Sequence, residues 1–247
     1  MPRFFIDASQ VSADGDTGLI RITGEDAHHI THVLRTRIGE EITVCDNAGV
    51  VYRTVLEAAG ETVLLRVLEQ SAADTEPPYI ATVYQALVKG DKMETVIQKA
   101  VETGASVIVP MVTSRAVVKL DEKDARKKTE RWQKIAHEAA KQCGRGIIPQ
   151  VTMPVSYKEA MRQAAEADLA LFCYEGDGTK PLPVLCRNVD SPRTVSLCIG
   201  PEGGFADGEA EAAKEAGLQM CGLGKRILRT ETAALFVLSC LSAIYEL

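Results

Sequence analysis

The run TVSLCIGPEGGFADGEAEAAKEAGLQMCG, residues 194–222, reads as a strand, a glycine loop, a helix and a second strand with nothing between them. Residues 194–199 are a short apolar run of the kind that lies in the middle of a buried sheet. Gly200 to Phe205 interrupt it, a helix follows over 207–216, and 218–222 is again strand. Strand, helix, strand in so short a span is the repeating unit of a parallel sheet.

The same alternation extends outward. Upstream lie a strand over 80–87, a helix over 91–103 with a stripe of Met93, Val96, Ile97, Ala100 and Val101, a stop at Gly104, and a strand over 106–110. A long helix over 124–143 turns Trp132, Ile135, Ala136, Ala139 and Cys143 inward and Lys127, Lys128, Arg131, Lys134 and Lys141 outward. A helix over 157–167 and a strand over 168–173 complete the approach to 194. A closing helix over 231–245 is apolar almost all round, which predicts burial on several sides. The expectation is an α/β domain whose mostly parallel sheet is covered on both faces and binds ligand beyond the carboxyl ends of its strands.

The first 70 residues have a different grammar. Strands over 19–22, 41–45, 50–56 and 62–68 surround one helix over 24–36, and 46–49 reads as a hairpin turn. In that helix Ala27, Ile30, Val33 and Leu34 form an apolar face, while His28, His32 and Arg35 share another. Residues 71–78 are polar and then doubly proline-stiffened, so the boundary falls there, giving domains 1–72 and 73–247.

Composition narrows the class. The seven cysteines are scattered without a C-x-x-C pair, which suggests neither zinc nor a disulfide framework; buried thiols in reducing cytosol fit better. The first residues lack the layout of a secretion signal, and no apolar stretch nears the ~20 residues that span a bilayer, so a cytoplasmic protein without membrane contact is expected. A net charge of −6 argues against indiscriminate nucleic-acid binding. Residues 89–145 nevertheless carry 13 Lys and Arg against 8 Asp and Glu, a local excess of 5 suited to phosphate.

Three unusual segments follow three strands: 172–176, 199–205 and 223–233. Glycine lets backbone approach a ligand closely, so the trio suits a cradle for a flat heterocycle. Pro201-Glu202-Gly203-Gly204 also reads as a plain tight turn. A triphosphate loop is disfavoured, since Glu202 and Asp207 put negative charge where phosphate would sit and no G-K-[ST] follows; the G-x-G-x-x-G fingerprint is missing as well. No Asp/His/Cys cluster suggests a metal.

The run Ile199 to Phe205, followed by Leu223 to Ala234, resembles the signature of the ribosomal RNA small subunit methyltransferase E family, within the SPOUT class of α/β-knot methyltransferases. Lys89 to Glu94, Lys99 to Gly104, His137 to Arg145, Arg3 to Phe5 and His29 to Arg35 with Gly39 look like further blocks of that family in the same order. The resemblance implies a deep carboxyl-terminal trefoil knot, a small PUA-like β-barrel domain that binds RNA, a homodimer, and methylation of N3 of one uridine in small-subunit ribosomal RNA, free or assembled. It further implies that S-adenosylmethionine (SAM) is held by Phe172, Tyr174, Glu175, Ile199, Gly200, Pro201, Glu202, Gly203, Gly204, Leu223, Gly224, Ile227, Leu228, Arg229, Thr230, Thr232 and Ala233.

For the chemistry, Arg229 is the candidate to stabilise charge on the uracil oxygens and Glu202 or Glu231 to take the N3 proton. Arg229 and Glu231 read equally well as an ion pair at a helix start. Candidate RNA contacts are Arg3, His28, His32, Arg35, Lys89, Lys92, Arg115 and Arg145, each of which also reads as ordinary solvated surface or, for the histidines, as core hydrogen-bonding groups. Competing functions are a noncatalytic RNA-binding or ribosome-assembly protein on the same fold, a knot-class enzyme acting on transfer RNA or a ribose hydroxyl, and a small-molecule enzyme with a nucleotide cofactor.

Overall fold

The computed structural model describes residues 3–14, 17–118 and 120–247, the side chains of Ala13, Asp14 and Thr17 aside. They form two compact units, Met1–Glu76 with Ala140–Ile148, and Pro77–Ala139 with Pro149–Leu247.

The first unit is a six-stranded sheet of β1 (Phe4–Phe5), β2 (Val11–Asp14), β3 (Thr17–Thr23), β4 (Glu41–Cys45), β5 (Val50–Ala58) and β6 (Thr62–Ala72), in the order β1-β4-β5-β6-β3-β2. Every pairing is antiparallel except β1 with β4. The β4–β5 turn forms as its sequence requires: Asn47 and Gly49 have φ of 59° and 93°, and the Asp46 carboxylate accepts from the N–H groups of Ala48 and Val50. Alternate residues of the strands, among them Ile20, Ile22, Val63 and Leu65, are buried with Phe4 and Leu56.

The single helix departs from expectation. It begins as α1 (Gly24–His28) and continues as a π-helical turn, His29–Val33, before Arg35 turns the chain at φ 54°. The wider turn rotates later residues out of the α phase. Ala27 and Ile30 are therefore buried, but Val33 and Leu34 are exposed rather than on the apolar face. His28 and His32 remain on one exposed side, their rings stacked 4.5 Å apart.

Residues 140–148 correct two further readings. Lys141 is buried, its ammonium 2.8 Å from the Asp26 carboxylate and 5.3 Å from the centre of the Phe4 ring, instead of facing solvent. Arg145 is only 4% exposed and donates from Nε to Glu76 at 3.1 Å, while Glu76 also accepts from the N–H of Gly146. Arg145, expected as an RNA contact, is thus a buried cation paired with Glu76 inside the unit.

The second unit is an eight-stranded sheet of β7 (Ile80–Ala86), β8 (Val107–Val112), β9 (Gln150–Val151), β10 (Val155–Ser156), β11 (Leu169–Cys173), β12 (Lys180–Pro181), β13 (Thr194–Ile199) and β14 (Gln219–Gly222). The order is β10-β8-β7-β13-β11-β14-β12 with β9 beside β8, and every pairing is parallel. Its helices are α2 (Lys92–Glu102), α3 (Glu122–Cys143, whose last four residues belong to the first unit), α4 (Tyr157–Ala164), α5 (Leu182–Cys186), α6 (Asp207–Glu215) and α7 (Thr230–Tyr245). The α2 stripe is buried as its spacing requires, and Gly104 at φ 96° ends that segment. Ser156 caps α4 by accepting the Glu159 N–H, and the Glu209 carboxylate accepts the Ala206 N–H at the start of α6. The short β12–α5 segment had no periodicity long enough to announce it.

α7 buries Ala233, Ala234, Val237, Leu238 and Leu241 along one face, while Phe236 and Ile244 are exposed, so a single chain covers this apolar helix on one side only. Cys45, Cys173, Cys186, Cys198 and Cys221 are buried free thiols. Among the described residues no helix is long and apolar enough to cross a membrane. Because β13, β11 and β14 are neighbours running the same way, the segments leaving their carboxyl ends emerge side by side.

Candidate functional site

Those three segments enclose a cavity of about 540 Å³, lined from β11 by Cys173, Tyr174, Glu175 and Thr179, from β13 by Ile199 to Glu202 with Gly204 and Phe205, and from β14 by residues 222–231 and Ala233. The size lies within the ~300–1,000 Å³ of small-molecule sites. Of the seventeen residues expected to hold a cofactor, fourteen line it and three do not. Phe172 is fully buried beneath it and packs 4.2 Å from Phe205; Gly203 faces Arg115; Thr232 is exposed on α7. The lining also includes Lys92, Cys173, Thr179, Phe205, Gly222, Lys225, Arg226 and Glu231. Cys173, Phe205, Lys225, Arg226 and Glu231 lay inside the quoted segments, Lys92 was expected as an RNA contact and stands in the cavity wall, and Thr179 and Gly222 lay outside those segments.

Pro201 to Gly204 satisfies both readings of the sequence. It is a tight turn, with the Gly204 N–H donating to Pro201 C=O at 3.0 Å and Gly204 at φ 66°, and it is also cavity wall. A Cβ at Gly204 would also stand 2.5 Å from Oε1 of Glu175, so that flexible carboxylate would have to leave its place in the cavity wall. Gly222 is similarly confined, its Cβ position lying 2.8 Å from Oγ1 of Thr179.

Hydrogen bonds lock the segments to one another and to the sheet. Thr230, buried at the start of α7, donates from Oγ1 to the Gly200 C=O at 2.7 Å and accepts from Nε2 of Gln85 on β7 at 2.9 Å. Arg115 donates from Nη1 to the carbonyls of Gly203 and Phe205. Lys92 reaches Oε1 of Glu202 at 3.0 Å, and the Lys89 N–H donates to the same oxygen. Burial alone would raise the Glu202 carboxyl, but hydrogen bonds from backbone N–H groups and from Lys92 outweigh it and hold the group below the usual carboxylate range.

Glu231 sits differently. It is 19% exposed, its Oε1 lies 3.9 Å from Nη1 of Arg229, and its buried Oε2 has no hydrogen-bond partner among the described residues. Arg229 is 84% exposed at the rim, so this pair is loose and adds little to stability. The buried Cys173 thiol, hydrogen-bonded to Cys221 across the paired strands, is held well above its ordinary value and stays a neutral wall. Burial and the neighbouring Asp207 carboxylate push the Tyr174 phenol up, which keeps it a hydrogen-bond donor.

The expected RNA contacts are divided. In the first unit His28, His32 and Arg35 are each exposed, the two histidine rings stacked on one another; Arg3 is half-buried, its guanidinium beside Gly144. In the second, Lys89 is exposed, Lys92 is tied to Glu202 and Arg115 is exposed while bonded to the glycine turn. Among the described residues no group of three His, Cys, Asp or Glu is arranged to hold a metal ion.

Two family models match stretches of the chain. Residues 75–242 match the model of an RNA methyltransferase domain, and residues 22–68 that of an RNA methyltransferase PUA domain. The chain is 38% identical over its whole length to the ribosomal RNA small subunit methyltransferase E of Bacillus subtilis, covering 98% of it. It is 32% identical to the protein of the same name from Mesomycoplasma hyopneumoniae, over 97% of this chain and 98% of that one. Among solved structures, the Neisseria gonorrhoeae ribosomal RNA small subunit methyltransferase E bound to S-adenosyl methionine superposes with a TM-score of 0.84 at 30% identity, covering 99% of this chain and 98% of that one.

Proposed function

This chain belongs to the ribosomal RNA small subunit methyltransferase E family, and on that premise we propose that it transfers a methyl group from SAM to N3 of a specific uridine in small-subunit ribosomal RNA. The observation that carries the reading is the convergence of the three glycine-bearing segments on one cavity. The cavity suits the donor: a Cβ at Gly200, Gly204 or Gly222 would crowd the wall, apolar Ile199, Leu223 and Leu228 suit a heterocycle, and Glu175, Glu202 and Glu231 suit a cation.

SAM, when bound, supplies an electrophilic methyl carbon; the chain must align the acceptor with it and help N3 lose its proton. Arg229 offers a cation to the uracil oxygens as negative charge develops on them. Glu231, with a buried oxygen left without a donor, takes the proton. Glu202, already engaged by Lys92 and the Lys89 N–H, braces the β7–α2 connection against the glycine turn.

The same reading gives residues 1–72 the role of a PUA-like RNA-binding domain, with His28, His32 and Arg35 at its RNA face, and residues 73–247 that of the catalytic domain. It makes the carboxyl-terminal segment a trefoil knot. That is supported by the path of the chain, which leaves β14 on the far side of β11 and returns to start α7 against β13. It pairs two chains through the exposed apolar side of α7 and sets the enzyme to work in the cytoplasm.

Mass spectrometry of small-subunit ribosomal RNA nucleosides from cells with and without the protein, beside calorimetry with SAM, tests the proposal. Loss of N3-methyluridine and a 1:1 complex with SAM are expected. An unchanged nucleoside profile would reject the acceptor, and no heat with SAM would reject the enzyme.

A further inference from the structure

The rim of the cavity carries a run of exposed side chains, of which Lys225 and Arg226 have no role in donor binding or methyl transfer assigned above. After β14 the chain turns at Gly224, whose φ of 103° no L side chain adopts readily, and runs through Lys225, Arg226, Ile227, Leu228 and Arg229 into the buried Thr230. Both ends of this arch are fixed, one by β14 and the other by the bonds of Thr230 to Gly200 and Gln85. Lys225 and Arg226 are exposed and have no carboxylate partner among the described residues, and the pairing of Arg229 is loose. Ile227, between them, is 86% exposed; among the large apolar side chains described, only the terminal Leu247 is more so.

Three like charges held within five residues of rigid backbone repel one another, which is tolerable where a polyanion takes their place among counterions. A naked apolar side chain in the middle of such a cluster calls for a partner that is anionic along its length and apolar at intervals, a description that fits a nucleic-acid strand with its phosphates and base faces. Protein interfaces also combine acidic and apolar groups, but this loop stands at the mouth of the cavity that the acceptor RNA must enter. The acceptor chemistry gives the apolar group a task. N3 lies on the pairing edge of uracil, in the plane of the ring, and reaches a recessed cavity only when the nucleotide leaves its stack. Apolar wedges inserted at a base step are a general means of holding such a gap open.

We propose that residues 225–229 form an RNA clasp: Lys225 and Arg226 hold phosphates flanking the target, and Ile227 occupies the space the extruded uridine vacates. The inference rests on the N3-uridine reading above, and its test separates the two.

The experiment uses the full-length protein and small-subunit ribosomal RNA lacking the modification. It follows single-turnover methyl transfer, SAM affinity by calorimetry, RNA affinity against salt, and fluorescence of 2-aminopurine placed next to the target in an RNA fragment. Lys225→Gln with Arg226→Gln reduces the slope of log affinity against log salt by ~1.4, at ~0.7 per phosphate contact on a single strand. Ile227→Ser slows transfer at least ~10-fold and abolishes the 2-aminopurine signal, while Ile227→Leu restores both.

Wild-type protein that methylates no N3 overturns the parent reading. Wild-type transfer matched by both variants overturns the clasp alone. A fall in SAM affinity parallel to the fall in rate returns Ile227 to the donor site and rejects the wedge. An unchanged salt slope with a shift of oligomeric state by light scattering assigns the loop to a protein contact and rejects the clasp.

Discussion

Replacing Gly204 by alanine, with Gly203→Ala as its control, tests the cavity on a difference of one position. Gly204 holds φ 66°, a conformation that costs an L residue ~1–2 kcal/mol, and its new Cβ would meet Oε1 of Glu175 at 2.5 Å. The carboxylate is the end of a flexible side chain and can swing aside, but Glu175 lines the cavity, so the relief of strain deforms the site. Gly203 has no positive φ, and a Cβ there finds its nearest neighbour, Cβ of Arg115, at an ordinary 3.8 Å. If the strain is relieved by leaving the binding conformation, SAM affinity falls ~5- to 30-fold in Gly204→Ala, at 1.4 kcal/mol per tenfold. If it is retained, the melting temperature falls ~2–8 °C for a chain of this size. Calorimetry and thermal unfolding of the two variants read both outcomes, and Gly203→Ala stays within ~0.5 kcal/mol of wild type. Equal behaviour of the two variants, or wild-type affinity and stability in Gly204→Ala, would refute the assignment of Gly204 as obligatory wall.

Four other outcomes follow from the contacts. Arg145→Met leaves the Glu76 carboxylate without its buried cation and costs ~3–5 kcal/mol in denaturant unfolding, where a loss below ~1 kcal/mol would make the pair incidental. Thr230→Val strips the Gly200 carbonyl and Gln85 amide of their common partner and weakens SAM binding by ~1–2 kcal/mol in a protein that still folds, a result that unchanged calorimetry would contradict. Glu202 titrates below its unfolded value, so its contribution to stability is complete above the ordinary glutamate range and is lost as pH falls through the lowered value; Lys92→Met moves that midpoint upward by NMR, and a stationary midpoint denies the pairing. Arg229→Ala and Glu231→Gln each lose ~10²-fold or more in transfer rate measured at saturating SAM, and full activity in both would remove them from the mechanism.

The elements legible in the sequence were those whose evidence is local. The α2 stripe, the β13 and β11 runs and the β4–β5 turn each carry their period or their turn residues within a dozen positions, and each appears where that pattern puts it. The helix after Gly24 shows how such evidence fails. Val33 and Leu34 sit in α-helical phase with Ala27 and Ile30 on paper, and a π turn between them changes the phase without changing the composition. Lys141 and Arg145 failed for another reason. A lysine and an arginine near a helix end are read as solvated until their counter-charges are known, and Asp26 and Glu76 lie 115 and 69 residues earlier in the chain.

The site divides along the same line. Gly200, Gly204 and Gly224 lay inside the segments read as a cradle, and the positive φ of Gly204 and Gly224 is a demand at the position itself, whereas Gly222 is confined by Thr179, 43 residues earlier, and was not foreseen as wall. The roles of the two carboxylates are set by partners. Glu202 and Glu231 are equal candidates in sequence, and what separates them is a lysine 110 residues away that occupies one and a buried oxygen with no donor on the other. A carboxylate already stabilised by an ammonium and a backbone N–H gains little by accepting a proton, whereas one with an unsatisfied oxygen beside the cavity gains a bond in doing so. The proposal of Glu231 as base rests on which group is left wanting a partner, and it predicts that releasing Glu202 by Lys92→Met leaves the pH dependence of transfer in Glu231→Gln unrestored.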